Sequence, residues 1–138
     1  MEVKNQVAPN TDVAVSFFSE KEDGPFVMVN LLKFKEKAEY DDGSDAGLSG
    51  REAYQRYGTV VTQCLQKVGG RLIFGGVVTG LLLGEIEENW DMVALVEYPS
   101  LEAFRNMTSL PEFIAASAHR TAGLAGQLNI KVKSSAIA

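Results

Sequence analysis

Hydrophobic positions fall along the chain in two rhythms. The two-residue rhythm is clearest in GQLNIKVKSS (Gly126–Ser135). There Leu128, Ile130 and Val132 face one way, and Gln127, Asn129, Lys131 and Lys133 the other, which reads as a half-buried strand. PFVMVNLLKFK (Pro25–Lys35) and WDMVALVEY (Trp90–Tyr98) are strands of another kind. They are β-branched, aromatic and apolar on both faces: Phe26, Met28, Leu32 and Phe34 against Val27, Val29 and Leu31, and Trp90, Met92 and Val96 against Val93 and Leu95. The 3.6-residue rhythm runs from Ser49 to Gly70 through Ala53, Tyr57, Val60 or Val61, Cys64, Leu65 and Val68. Ser49 with Glu52 three residues on is a capping-box start, and Gly69 is a helix stop. PSLEAF opens another helix capped by Ser100, and Pro111 ends it and starts a further helical piece, LPEFIAASAHR.

Between the long helix and Trp90 lies GGRLIFGGVVTGLLLGE (Gly69–Glu85), with six glycines and two polar residues before Glu85, Arg71 and Thr79. No lysine follows a glycine as a phosphate-binding loop requires, and the spacing is not that of a dinucleotide fingerprint. Leu72–Leu83 is about half the length of a bilayer span. A soluble helix would lose several kcal/mol to so many glycines. The remaining reading is a turn at Gly69–Gly70 followed by a β segment, inside which Gly75–Gly76 and Gly80 mark bulges or sharp bends, joined to the next strand by a turn around Glu85–Asn89.

The order is therefore β-α-β-β-α-β, the ferredoxin-like arrangement of four antiparallel strands with helices on one face, an α+β fold. Residues 25–135 form that single domain. Residues 1–24 are an N-terminal extension in which Thr11–Glu22 can form a short helix, capped by Thr11 or Asp12. Glu36–Gly50 is polar and glycine-rich, hence a loop. Strands apolar on both faces must be covered on both. Helices cover one face, and a second copy of the sheet is the economical cover for the other, giving an isologous homodimer.

Composition narrows the function classes. A chain of 138 residues with 46% hydrophobic and 22% charged residues is an ordinary globular domain. A net charge of −5 disfavours nucleic acid as a partner. Cys64 and His119 are the single cysteine and histidine, so no internal disulfide forms, and neither structural zinc nor haem is expected. No basic stretch followed by an apolar one opens the chain, and the expected setting is the cytoplasm, away from membranes.

Several stretches together carry a resemblance: VGGRLIFGG, LLLGE, VALVEYPSLEAF and SLPEF, followed by Arg120 and preceded by Tyr54 and Tyr57. Over about Ala53–Lys133 the chain resembles the dimeric α/β-barrel superfamily, and most closely its uncharacterised branch, domain of unknown function 1330. The N-terminal extension and the Glu36–Gly50 loop depart from that pattern. The resemblance implies a ferredoxin-like protomer and a barrel made by two chains. It does not supply a reaction, because the superfamily holds cofactor-independent monooxygenases, haem-binding enzymes, lactone isomerases and proteins of unknown function.

His119 is the natural acid–base candidate, or else a solvated residue on a late helix. Glu97 ends an apolar strand, where a carboxylate is either a catalytic base or the partner of Arg71 or Arg120. Arg71 and Glu97 start and end neighbouring antiparallel strands, so they should meet in space. If half-buried, that pair is worth on the order of 3 kcal/mol against loss of one partner. Asn30 interrupts an apolar face, as a cavity contact or a satisfied amide. Trp90 with Asp91 caps a strand end or touches ligand; Tyr57 and Arg120 are further ligand-binding candidates, and Cys64 is core. Two functions fit. One is cofactor-independent chemistry of monooxygenase or isomerase type on a small apolar or aromatic compound, with Glu97 or His119 as base and Arg71 or Asn30 stabilising an oxyanion. The other is a ligand-binding or stress-associated dimeric module without turnover.

Overall fold

The computed structural model describes residues 6–21 and 24–134. Among the described residues eight elements follow one another: α1 (Thr11–Phe18), β1 (Phe26–Phe34), α2 (Gly50–Lys67), β2 (Arg71–Val77), β3 (Met92–Tyr98), α3 (Leu101–Thr108), α4 (Pro111–Gly123) and β4 (Leu124–Val132). The strands form one antiparallel sheet in the order β2-β3-β1-β4. This is the ferredoxin-like fold. Alternation in β1 sends Phe26, Met28 and Leu32 toward the helices, where Phe26 and Met28 join Cys64, Leu65, Tyr98, Leu101 and Met107 in the core. Cys64 is fully buried on the apolar stripe of α2.

The helix ends follow their local chemistry. Ser49 Oγ accepts from Glu52 N and Glu52 Oε1 accepts from Ser49 N, each at 3.0 Å. Gly69 stops α2 at a φ of +77°, a left-handed value that glycine adopts without strain. Ser100 Oγ accepts from Ala103 N at 3.0 Å, and Pro111 is the first residue of α4.

Five local expectations are corrected. The cap of α1 is Asn10, whose side chain makes no capping bond, and the helix ends at Phe18 rather than Glu22. Ser19 closes it by donating from Oγ to Val15 O at 2.6 Å. The third strand of the chain begins at Met92 rather than Trp90. β2 ends at Val77, because its last partner, Met92, is the first residue of β3. The following leucines therefore lie in a loop, with Leu82 fully exposed and Leu83 89% exposed. The bulge in β2 is at Ile73, between the pairs Leu72↔Val96 and Phe74↔Leu95, and Gly75 and Gly76 pair regularly.

The extension and the long loop are both fastened to the domain. Phe17 and Phe18 of α1 pack against Phe104, the first in a T-shaped and the second in a tilted arrangement. Lys131 reaches Glu20 at 3.0 Å while lying over the Phe17 and Phe26 rings. Residues 36–49 are held by Ala38 N to Leu48 O at 2.8 Å and Glu39 N to Ala122 O at 3.0 Å, with Ala38 buried against Ala53 and Ala122.

Candidate functional site

The sheet has two unlike faces. Directly opposed residues share a face, so Val27, Val29 and Leu31 stand with Val93, Leu95 and Glu97, with Leu128, Ile130 and Val132, and with Arg71 and Phe74. The helices pack on the other side, and this apolar face is open: Phe74 is 58% exposed and Ile130 47%. Arg71 and Glu97 meet on it, Nε donating to Oε1 at 2.9 Å, as their placement in the sequence required. Their side chains are 69% and 36% exposed, which removes the half-buried condition. The pair belongs to the surface class, worth at most about 1 kcal/mol in the single chain.

The helix face carries the polar residues that sequence patterning flagged only singly. Asn30 Nδ2 donates to the carbonyls of Met28 and Ala94 at 3.4 and 3.3 Å, so its Oδ1 is left to accept. Gln127 Nε2 donates to that oxygen at 2.8 Å, which turns Gln127 Oε1 toward Arg120 Nη1, 2.7 Å away. The two backbone carbonyls thereby fix the direction of both amides. Arg120 Nη2 donates to the carbonyl of Val7, and Gln127 N to the carbonyl of Gln6 at 3.0 Å. Asn30 is thus a satisfied amide, linked through Gln127 to Arg120.

Tyr54 and Tyr57 of α2 pack against each other on the helix side of the sheet. Burial pushes the Tyr54 phenol well above the ordinary range, with Tyr57 adding to the shift and the Arg120 charge opposing it. Burial pushes Tyr57 up to about 12, again against the pull of Arg120. The Tyr54 ring lies 5.4 Å from those of Phe34 and Tyr57. An open groove of about 620 Å³ runs along α2, lined by Phe34, Arg51, Tyr54, Gln55, Gly58, Thr59, Thr62 and Met92. Arg51 stands over the Phe34 ring at 5.5 Å.

The other candidates lie apart from the groove. His119 Nδ1 and the Tyr40 hydroxyl are 2.7 Å apart, on the side of α4 that meets the 36–49 loop. Arg56 also donates to Tyr40 and is paired with Asp45 at 3.0 Å. Glu97 and His119 are not brought together, since one stands on the bare sheet face and the other in the helical layer. Trp90 precedes β3, where Asp91 ties the strand ends by accepting from Phe34 N at 2.7 Å and donating to Leu32 O at 2.8 Å. Among the described residues, no three His, Cys, Asp or Glu side chains are grouped to hold a metal. No described helix is long and apolar enough to cross a membrane. Tyr54 and Gln127 were missed as site residues. Tyr54 is one turn before the Gly58 gap in α2, a signal that was present; the face taken by Gln127 depends on the sheet as a whole.

Three comparisons bear on this arrangement. Residues 45–131 match the family described as Domain of unknown function (DUF1330). No curated protein matches the chain. The structure is similar to that of RPA0582, a protein of unknown function from Rhodopseudomonas palustris, at 30% identity and a TM-score of 0.88, covering 97% of this chain and 100% of that one. It also shares its fold with two more distant proteins. One is a dimeric protein of unknown function with a ferredoxin-like fold from Bacteroides fragilis, at 13% identity and TM-score 0.50, covering 83% and 100%. The other is a dabb family protein with a ferredoxin-like fold from Mesorhizobium loti, at 10% identity and TM-score 0.51, again covering 83% and 100%.

Proposed function

The chain belongs to the DUF1330 family, and from that premise we propose that it is a homodimeric small-molecule-binding protein. Two copies join through the bare sheet face. Each copy holds a small apolar or aromatic compound with one carbonyl or acidic group in the groove along α2. The observation that carries this reading is the groove itself. Its volume of about 620 Å³ lies within the range of about 300–1,000 Å³ usual for small-ligand sites. Phe34, Tyr54 and Met92 offer it an apolar wall, and Gln55, Thr59 and Thr62 a hydrogen-bonding rim.

Binding without turnover is favoured because the groove lining holds neither a carboxylate nor an imidazole. Glu97 and His119, the two bases that acid–base chemistry would use, lie elsewhere. The dimer is supported by the continuous apolar face, which a lone chain would leave in water, and by the dimeric state of the Bacteroides fragilis protein of like fold.

Two measurements test the reading. Light scattering should give twice the 15.0 kDa chain mass, and Leu95→Glu should give the single-chain mass; a wild-type monomer at micromolar concentration removes the dimer. Titration with benzamide, followed by NMR of backbone amides, should shift Tyr54, Thr59 and Thr62 saturably, and Gly58→Phe should abolish the shifts. Shifts confined to other regions, or shifts unaffected by Gly58→Phe, would remove the groove as the binding site.

A further inference from the structure

The two most exposed large apolar side chains among the described residues are not on the sheet. They are Leu82, fully exposed, and Leu83, 89% exposed, and Leu81 beside them is 51% exposed. All three stand in the arm that joins β2 to β3. Val78 N donates to Asp91 O at 2.9 Å, so the two limbs of the arm leave the sheet together and residues 79–90 lie outside it. Gly84, at a φ of +99°, turns the chain just after the leucines. Glu88 then reaches Lys33 Nζ at 2.7 Å. Lys33 stands two residues beyond Leu31 in β1 and so belongs to the bare face. Its side chain is only 12% exposed. The arm thus starts from the bare side of the sheet, with its foot fixed by an ion pair and its leucines in water.

Resting on the homodimer reading above, we propose that residues 79–90 are a dimerisation arm, and that Leu81, Leu82 and Leu83 of each copy pack on the other copy. Size argues for it. The sheet has four strands, and β3 has 7 residues. At about 4.8 Å between strands and about 3.4 Å per residue, the bare face has a flat extent of about 450 Å². A stable interface takes about 800 Å² of accessible surface from each partner. Side-chain relief enlarges the first figure, and the arm adds apolar surface where the sheet ends. Reach allows it too. Stacked sheets lie about 10 Å apart, and residues 79–90, running out and back, span up to about 20 Å. Charge selects the occupant. Glu85, Glu87 and Glu88 follow the leucines, and an anionic lipid surface would repel them. A second copy offers an apolar face in return, with Phe74, Ile130 and Val132 still exposed on it.

Dilution of the full chain in the analytical ultracentrifuge measures dimer dissociation. A variant carrying Leu81→Ser, Leu82→Ser and Leu83→Ser should dissociate at least about a hundredfold more readily than wild type. These side chains are exposed in the single chain, so the far-UV circular dichroism of the variant should match that of wild type. A second measurement does without that variant. Cys64 is the single cysteine and is fully buried, so a nitroxide attached at Leu82→Cys labels the arm alone. After subunit exchange with isotope-labelled wild type, the nitroxide should broaden backbone amides of the isotope-labelled chain. A serine variant that dimerises within about threefold of wild type, or a mixed dimer without that broadening, would overturn the arm and leave the dimer standing. A wild-type monomer at micromolar concentration would overturn both. Wild-type binding to vesicles of phosphatidylserine and phosphatidylcholine, lost in the serine variant, would overturn the second copy as occupant in favour of a membrane.

Discussion

Replacing Gly50 by alanine isolates the contact between the start of α2 and the end of α4. A methyl group at Gly50 would stand 2.1 Å from Lys35 O, 2.6 Å from Gly123 O and 2.8 Å from Lys35 N. All three are backbone atoms, so none can rotate away and the two segments must part. Parting strains the bonds Gly50 N to Lys35 O (3.1 Å) and Lys35 N to Gly123 O (2.8 Å), each worth about 1 kcal/mol. Forcing extra volume into a packed site costs about 1–3 kcal/mol more. Against this, alanine gains at most about 1 kcal/mol over glycine as a helix former. The net expectation is a loss of about 3 kcal/mol, or on the order of 10 °C in melting temperature for a domain of this size. Gly58→Ala is the control. Gly58 lies within the same helix with nothing within 4 Å of the added methyl, so alanine should stabilise by up to about 1 kcal/mol. Urea unfolding followed by circular dichroism, at one fixed protein concentration, measures both. A Gly50→Ala protein within about 1 kcal/mol of wild type, or one that gains as Gly58→Ala does, would refute the reasoning.

The remaining predictions concern capping, charge and alkaline stability. Ser49→Ala removes the oxygen that accepts from Glu52 N, and should cost about 1 kcal/mol in the same unfolding assay; no measurable loss would show the capping box to be idle. Arg71→Ala breaks a pair whose side chains are 69% and 36% exposed, so a Leu95→Glu background without the sheet contact should lose less than about 1 kcal/mol. A loss near 3 kcal/mol there would restore the half-buried reading of that pair. Burial raises the phenol pKa of Tyr54, Tyr57 and Tyr98, Tyr57 to about 12. Their contribution to stability is complete below the unfolded phenol value of about 10 and is lost as pH rises from there through the folded values. Absorbance at the phenolate band should show these three ionising late, together with unfolding, and reversible ionisation of all four tyrosines near pH 10 in folded protein would contradict it.

Much of the frame could be read from the chain because its signals are local. Ser49 with Glu52, Ser100, Pro111 and Gly69 each mark a helix end by chemistry confined to a few residues. The two-sided apolar strands gave the sheet and its bare face. Antiparallel neighbours alone brought Arg71 to Glu97, although not the solvent that surrounds them. The leucines at 81–83 misled because an apolar run resembles a strand whether or not β3 extends far enough to pair with it. The site was less legible. Gln127 looked like any outward polar residue of an alternating strand, since alternation separates two faces without saying which one meets helices. Val7 acts through its carbonyl, which every residue has. Tyr40 was hidden in a polar loop, and the contact of Gly50 with Gly123 joins positions far apart in the chain.

The extra residue in β2 has an arithmetic consequence. In an unbroken strand, positions three apart have opposite parity and point to opposite sides. Arg71 and Phe74 nevertheless share the bare face, because Ile73 is skipped in the count against β3. Deleting Ile73 would leave each remaining partner in place, with Leu72 still opposite Val96 and Phe74 still opposite Leu95. Deleting a paired neighbour such as Gly75 would invert part of the strand. β2 can therefore shorten by one residue at this point without exchanging its two surfaces. The bulge absorbs a change in length that anywhere else in the strand would turn it inside out.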